Sequence, residues 1–215
     1  MAADDLTLAP SSGKREQTKA ANRTAILDAA RAVFGEMGYD GATVRDIIRR
    51  TGLSVGAFYN YYRSKEEVYE ALSDDGARRF RPILRAQHEQ ATDFPAYIRG
   101  AITAYLEFLV DEEAAWQRNA RTEGGGHPHV QVETPEMRAV FNEVKAAISD
   151  GIERGLAPRV DADYLAGVCI GVAREVGERM LERRPIDVAA AAEFAVSLIL
   201  GGVPALPRQS SNDPA

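Results

Sequence analysis

The sequence predicts an all-helical fold, and three observations support that prediction. Apolar residues recur at spacings of three and four through most of the chain, which is the period of one face of an α-helix. Ser, Thr or Asp precedes most of these segments, where a side-chain oxygen can accept a hydrogen bond from a free amide of the first turn. A sustained alternation of apolar and polar residues is missing, so strands are not expected.

The first helix is expected to begin near Asn22. Before it, Ser, Ala, Pro, Gly and charged residues mix without apolar periodicity, which predicts a flexible tail over residues 1–19. The helix is expected to end at Gly38, since glycine readily adopts the left-handed conformation of a helix cap. One apolar stripe defines its buried face: Ile26, Ala29, Ala30, Val33, Phe34 and Met37.

Two short helices joined by a tight turn are expected next. Thr43 is placed to cap the second helix and Gly52 to end it. Ser54 is placed to cap a third helix over residues 55–62. Two capped helices around a glycine turn are the layout of a helix-turn-helix, whose second helix enters the major groove of DNA.

The rest of the chain is expected to form six further helices. The fourth is capped by Ser64 and is expected to end or kink at Pro82, because proline lacks a backbone N–H. An irregular segment over residues 121–133 separates the sixth helix from the seventh. The helices after the fourth are expected to begin at Asp93, close to Trp116, and at Thr134, Asp161 and Asp187.

The charge of the chain is unevenly distributed. The net charge is −6, yet residues 14–65 carry ten basic and five acidic side chains. A basic head on an acidic remainder indicates that only the head meets a polyanion, although a basic helical face can also simply be solvated. The N-terminus lacks the apolar core of a secretory signal, and no stretch approaches the ~20 apolar residues of a membrane span, so a cytoplasmic location is expected.

The helix-turn-helix pattern indicates which side chains meet DNA. Residues at the starts of its two helices face the groove, and small side chains allow close approach to the bases. Base contacts are expected from Arg45, Val55, Gly56, Ala57 and Asn60. Phosphates accept hydrogen bonds from hydroxyl and ammonium groups near helix starts, and such contacts are expected from Thr43, Tyr59, Tyr61 and Lys65. Phe58 and Tyr62 are interpreted as core residues.

Residues 23–72 resemble the DNA-binding domain of the tetracycline-repressor (TetR) family. The matching residues run without a gap through four helices and are Ile26-Leu27-Asp28-Ala29-Ala30, Phe34, Gly38-Tyr39, Thr43-Val44-Arg45-Asp46-Ile47, Gly52-Leu53-Ser54, Gly56, Tyr59 and Ser64-Lys65-Glu66. The resemblance implies a homodimer on a pseudo-palindromic operator. It also implies an effector pocket among helices five to eight and a dimer formed by the last two helices. Val55 and Ala57 stand where the family commonly has Lys and Thr, so the operator sequence of relatives does not carry over.

These expectations divide the chain into four parts: a flexible tail at 1–19, a DNA-binding domain at 20–66, an effector-binding and dimerisation domain at 67–206, and a second flexible tail at 207–215. The effector pocket is expected to involve Tyr105, Leu109, Trp116, Phe141 and Arg174, although core packing explains the apolar members equally well. Small residues four apart let helices approach closely. The dimer interface is therefore expected at Gly167, Ile170, Ala191, Phe194 and Leu198.

Other chemistry finds little support in the sequence. His127 and His129 lie in the irregular segment, where a solvated loop is favoured over a metal site, and no cofactor is expected. The chain has 3 His and no Gly-x-Ser-x-Gly elbow, so an enzyme is not expected. The sequence predicts a dimeric DNA-binding transcriptional regulator, a repressor released from its operator by a small-molecule effector of unknown identity. The alternative is a ligand-binding or scaffold protein that has lost operator binding.

Overall fold

The computed structural model of the chain describes residues 12–119 and 133–206. Within these two ranges the chain forms eight α-helices and one short 3-10 helix, and it forms no strand. The α-helices are α1 Ser12–Gly41, α2 Val44–Thr51, α3 Val55–Tyr59, α4 Lys65–Gln90, α5 Phe94–Asn119, α6 Pro135–Glu153, α7 Ala162–Leu181 and α8 Val188–Gly202. The prediction of an all-helical fold is confirmed.

The first helix starts earlier than expected. Helical structure begins at Ser12, so Lys14, Arg15 and Lys19 lie exposed on a helix rather than in an irregular tail. The expected end at Gly38 is confirmed as a break, because Gly38 has φ 69°, in the left-handed region that favours glycine. A short helical turn then continues to Gly41.

The helix-turn-helix has the caps that the sequence predicts. The Thr43 side chain and the Asp46 side chain each accept a hydrogen bond from the other residue's backbone amide, which forms a capping box at the start of α2. Gly52 ends α2 with φ 70°. Ser54 Oγ accepts from the Ala57 amide at 3.2 Å and caps α3. α3 ends at Tyr59, earlier than the expected 62, and an irregular turn leads into α4.

In the rest of the chain two helix boundaries differ from expectation and three are confirmed. α4 runs through Pro82 to Gln90, so the expected end at that proline is wrong. α5 continues past Trp116 to Asn119, so the short sixth helix expected there is part of α5. The later starts are confirmed, because the side chains of Thr134, Asp161 and Asp187 cap α6, α7 and α8.

The buried side chains form two hydrophobic clusters. We call α1–α3 the head and α4–α8 the body. The head cluster combines buried side chains of α1–α3 with the first two turns of α4 and with Trp116 of α5. The body cluster is built from α4–α8. α5 is central, since it packs against α4, α7 and α8 and its end contacts α1.

A glycine permits the close packing of α5 on α7. A Cβ added at Gly177 of α7 would lie 3.2 Å from Leu106 Cδ2 and still closer to a methyl group of Leu109. These distances are tighter than ordinary van der Waals contact, so a larger residue at Gly177 would force the side chains of Leu106 and Leu109 to shift.

Ion pairs join the head to the body. Arg31 of α1 contacts Asp75 of α4 at 2.8 Å, and Arg79 of α4 contacts the same carboxylate at 3.1 Å. Arg79 also pairs with Glu112 of α5, with an Nη2 to Oε2 distance of 2.8 Å. One turn after Glu112, Trp116 enters the head cluster with 2% of its surface exposed. The end of α5 therefore contacts both the head and α4.

One segment in the described ranges, Val188–Ala205, is long and apolar enough to cross a membrane by length and composition alone. A single helix of this kind is weak evidence for a membrane span. Here one face of α8 packs on α5, and Glu193 pairs with Arg99 of α5 at 2.8 Å. Its other face is exposed and carries the apolar residues Phe194 and Leu198.

Candidate nucleic-acid interface

The recognition helix α3 is anchored by one face and presents the other. Phe58 is completely buried in the head cluster, as the sequence interpretation expected. Val55 and Tyr59 are 59% and 50% exposed, and Gly56 and Asn60 are exposed beside them. Ala57 is half-buried. Tyr61, in the turn after α3, is also half-buried. Four of the six residues of α3 and this turn that were expected at DNA therefore form one open surface.

The start of α2 adds a second part of this surface. Thr43 and Arg45 are exposed there, as both of their expected contacts require. The hydrogen bond from the Thr43 side chain holds the pKa of Asp46 below its usual range, so this carboxylate stays ionised and keeps the cap. Arg50 forms a bidentate pair with Glu36 of α1, at 2.7 and 2.8 Å, and so belongs to the packing of α2 on α1.

Three of the four expected phosphate contacts have hydrogen-bond partners within the chain: Thr43 with Asp46 at the cap of α2, and also Lys65 and Tyr61. The Lys65 ammonium donates to the carbonyl oxygens of Tyr39 at 2.9 Å and Ala42 at 3.3 Å, and it lies 4.5 Å from the centre of the Tyr39 ring. Tyr61 accepts a hydrogen bond from Asn22 Nδ2 at 3.1 Å. In the free protein Lys65 thus ties the start of α4 to the end of α1, a role that sequence spacing did not indicate.

The expected effector residues fall into two places. Tyr105, Leu109 and Phe141 pack against the body cluster, where Tyr105 meets the Phe80 ring at 5.5 Å in an edge-on contact. Burial raises the pKa of Tyr105 to about 12. Arg174 is exposed on α7. Trp116 lies in the head cluster instead, because the uninterrupted α5 carries it beyond the body, so it is not part of a pocket with the other four.

A cavity that the sequence did not predict lies between head and body. Its volume is about 320 Å³, and its lining residues are Tyr61, Tyr62, Glu67, Glu70, Ala71, Asp74, Glu133, Thr134 and Pro135. No spacing rule reveals it, because its walls bring residues 61–74 together with residues 133–135, about 60 residues further along the chain. Within the described ranges no group of three His, Cys, Asp or Glu is placed to hold a metal ion, and His127 and His129 lie outside those ranges.

An open apolar face runs along α7 and α8. Its large members are Tyr164, Val168, Phe194 and Leu198, which are 77%, 52%, 63% and 54% exposed. Gly167 is also exposed there. Of the expected interface residues, Ile170 and Ala191 are half-buried against their own body cluster. Cys169 and Ala173, which also contribute to the apolar content of α7, are buried inside it. The sequence missed Tyr164, whose position one turn before Val168 could have revealed it.

A capped α2, a glycine turn and an anchored, outward-facing α3 define a helix-turn-helix DNA-binding domain. Residues 26–72 match the family model described as bacterial regulatory proteins, tetR family. A transcriptional repressor of Mycobacterium tuberculosis is 40% identical over 68 residues, which cover 32% of this chain and 36% of that protein. The transcriptional repressor AcnR of Corynebacterium efficiens is 43% identical over 140 residues, which cover 65% of this chain and 66% of that protein.

The similarity in fold extends through the body. The crystal structure of the transcriptional regulator FadR from Bacillus subtilis in complex with stearoyl-CoA has a TM-score of 0.65 and 18% identity, covering 84% of this chain and 98% of that one. The sequence matches thus span about a third and two thirds of the two curated relatives, whereas the structural match spans almost a whole chain. The chain belongs to the TetR family of helix-turn-helix transcriptional regulators, whose members are not enzymes.

Proposed function

We propose that this protein is a homodimeric repressor that binds a pseudo-palindromic operator and leaves it when a small-molecule effector binds the body. The observation that carries the proposal is the surface of α3, where Phe58 is held in the core while Val55, Gly56, Tyr59 and Asn60 face outwards. An uncovered apolar side chain on a folded head has no stabilising role within one chain, but it can meet a thymine methyl group in the major groove.

On this proposal the DNA contacts divide by chemistry. Arg45, Val55, Gly56, Ala57 and Asn60 face base edges, and Thr43, Tyr59 and Tyr61 position the head on phosphates. Lys65 contacts a phosphate only if its ammonium gives up one of its hydrogen bonds to a backbone carbonyl and donates to a phosphate oxygen instead. Its three carbonyl contacts otherwise make it a residue that orients α4 on the head.

The dimer is proposed at the α7–α8 face. Four large apolar side chains exposed along two neighbouring helices form a patch of the kind that subunit association covers. A two-fold dimer would bury the same patch on both chains and present two α3 helices. Consecutive major grooves lie about 34–36 Å apart, so the dimer must hold the two heads at that spacing.

The proposed release couples the body to the heads through α5 and α4. Glu112 and Trp116 lie one turn apart on α5, and they contact Arg79 of α4 and the head cluster. The effector is proposed to bind among α5–α7, near Tyr105, Leu109 and Phe141. It shifts α5 only if it binds more tightly to the dimer with one spacing between the two heads than to the dimer with another spacing. This division gives the chain a DNA-binding domain at 20–66 and an effector and dimerisation domain at 67–206.

The experiment is fluorescence anisotropy of a labelled duplex carrying a palindrome from the region upstream of the protein's own gene. We expect binding that weakens by about 10³ between 50 and 200 mM salt, as for a protein with six or more phosphate contacts. Val55→Asp should abolish specific binding, whereas Met37→Asp, which changes a 48% exposed residue of α1 that is not among the expected DNA contacts, should retain it.

Equal affinity for this duplex and a scrambled one would contradict the proposal. It would favour the second candidate, a ligand-binding or scaffold protein that has lost operator binding. Loss of binding in Met37→Asp as well would show that the test variants report folding rather than contact.

A further inference from the structure

The first part of α1 extends beyond the packed part of the head. The helix begins at Ser12, whereas Ile26 is the first residue of α1 in the head cluster. We call residues 12–21 the α1 extension. Each residue from 13 to 21 is exposed, and none of them belongs to either hydrophobic cluster. Because helices in proteins are stabilised mainly by packing an apolar face, core packing does not account for this extension.

The α1 extension is basic. It contains three basic side chains, Lys14, Arg15 and Lys19, and one acidic side chain, Glu16. Among the described residues, the first ion pair along α1 is that of Arg31 with Asp28, so the three cations are not engaged in ion pairs there. The whole chain has a net charge of −6, so this positive surface is a local feature.

Two of these cations continue the face of α1 that packs into the head. Arg15, Lys19, Asn22 and Ile26 are spaced by four, three and four residues, which places them in one row along the helix. The row is not interrupted, because the non-helical residue inside α1 is Gly38. Ile26 is completely buried, whereas Arg15 and Lys19 are exposed. The row therefore carries two cations where it passes beyond the head cluster.

A hydrogen bond connects this row to the candidate nucleic-acid interface. Asn22 Nδ2 donates to the Tyr61 hydroxyl at 3.1 Å. Tyr61 lies in the turn directly after α3, and a phosphate contact is expected from it. Arg15 precedes Asn22 by seven residues, which is about 10 Å along the helix axis. The two cations thus lie on the side of α1 that faces this turn, and they continue the interface outwards from it.

We propose that the α1 extension binds the phosphate backbone of the DNA that flanks each operator half-site, through Arg15 and Lys19. The inference rests on the proposed function and adds contacts outside α2 and α3. Exposed cations beside a DNA-binding surface are complementary in charge to the polyanion that continues past that surface. Guanidinium and ammonium groups donate to phosphate oxygens, and such contacts add affinity without reading the base sequence.

The test uses the full chain and fluorescence anisotropy with two labelled duplexes that carry the same palindrome. The long duplex has about one helical turn of flanking DNA on each side, and the short duplex ends at the edges of the half-sites. The variant Arg15→Gln with Lys19→Gln removes four phosphate contacts per dimer. On the long duplex, the slope of log affinity against log salt should fall by about 3–4. The advantage of the wild type should shrink about 100-fold between 50 and 200 mM salt.

Two control variants separate a phosphate contact from a general effect of charge. Arg159→Gln with Arg183→Gln makes the same charge change at exposed positions on either side of α7, and should bind both duplexes like the wild type. Arg15→Lys with Lys19→Arg keeps both charges and should retain the gain from flanking DNA. On the short duplex, the wild type and the Gln variant should bind equally, because the flanking phosphates are missing.

Three results would overturn the inference: equal affinity of the wild type and the Gln variant for the long duplex, an equal loss on both duplexes, or an equal loss in the α7 control. A scrambled long duplex distinguishes this failure from that of the proposed function. A wild type that binds palindrome and scrambled DNA equally, but more tightly than the Gln variant does, would refute the proposed function alone. Specific binding that the Gln variant retains in full would refute the role of the extension alone, and no binding to any duplex would refute both.

Discussion

The two hydrophobic clusters differ in how completely one chain covers them. In the head, the side chains of the hydrophobic cluster are covered by other parts of the same chain. The head has three exposed large apolar residues, and two of them, Val55 and Tyr59, lie on α3. The body cluster is open along α7–α8, where four large apolar side chains lie together in solvent. The head therefore presents its exposed apolar residues on the proposed DNA surface, whereas the body leaves an apolar face that a second chain would cover on the proposed function.

The closure of the head depends on a residue from the body. Trp116 of α5 is 2% exposed in the head cluster, so the head borrows part of its core from the helix that also packs against α7 and α8. The boundary between the two clusters is therefore also a mechanical connection. A shift of α5 cannot leave the head cluster unchanged, because close-packed interiors do not absorb side-chain displacements without cost.

The largest effect is expected from mutations that prevent a second chain from packing on the exposed apolar face of α7 and α8. Phe194→Asp with Leu198→Asp places charges where a second chain would pack, and should give monomers with folded heads. Loss of the second head should weaken binding to a full operator about 100- to 10,000-fold. Sedimentation velocity and anisotropy measure the two effects. Leu156→Asp, at a 43% exposed position between α6 and α7, is the control and should stay dimeric.

Removing the borrowed tryptophan tests the connection between the clusters. Trp116→Ala should lower the free energy of unfolding by about 3–5 kcal/mol, the usual cost of deleting a large aromatic side chain from a core. Trp116→Phe keeps most of the apolar volume and should cost clearly less. Urea unfolding followed by circular dichroism gives both values. A loss below about 1 kcal/mol for Trp116→Ala would mean that the head closes without α5.

The exposed surface of α3 should read bases rather than only bind phosphates. Asn60→Ala is expected to change preference at particular base pairs by about 1–3 kcal/mol. Tyr59→Phe, which removes a hydroxyl expected at a phosphate, should weaken all sites alike. Selection from a randomised duplex pool measures both. Identical selected sequences for wild type and Asn60→Ala would assign α3 a positioning role only.

The smallest effect concerns the ion pairs that hold α6 on α4. Burial raises the pKa of Glu143, but hydrogen bonds from Arg85 and Arg81 outweigh it and leave the pKa below the usual value. The stabilisation is therefore complete above the unfolded pKa of about 4.3 and is lost as pH falls through the folded value. Glu143→Gln should cost about 1.5 kcal/mol at pH 7 in urea unfolding, and this cost should shrink as the pH falls through the folded-state pKa of Glu143. If the loss of unfolding free energy in Glu143→Gln did not change with pH, the stabilisation would not come from the ionised Glu143 carboxylate.

The sequence predicted best where local chemistry decides the structure. Caps such as Thr43, Ser54 and Asp161 and the left-handed Gly52 are satisfied by neighbours within three residues, so their outcome is readable from spacing. The same holds for Phe58, whose helix face is fixed once the caps are known. These short-range rules identified the helix-turn-helix and its exposed residues.

Long-range packing explains what the sequence did not predict. Pro82 is tolerated inside α4, and α5 continues past Trp116, because tertiary contacts outweigh local helix-ending preferences. The contacts of Lys65 with carbonyls of α1 and the cavity beside Tyr62 involve elements separated by many residues. The spacing of residues within one helix carries no information about contacts between distant elements, so these features are visible only in the three-dimensional structure.

The central claim is that two chains, joined at their open body faces, place two complete heads on one operator. Sedimentation velocity of the wild type with labelled duplexes carrying either the full palindrome or one half-site tests it most directly. The account requires two chains per full palindrome and much weaker binding to the half-site. One chain per palindrome, with equal affinity for palindrome and half-site, would contradict it.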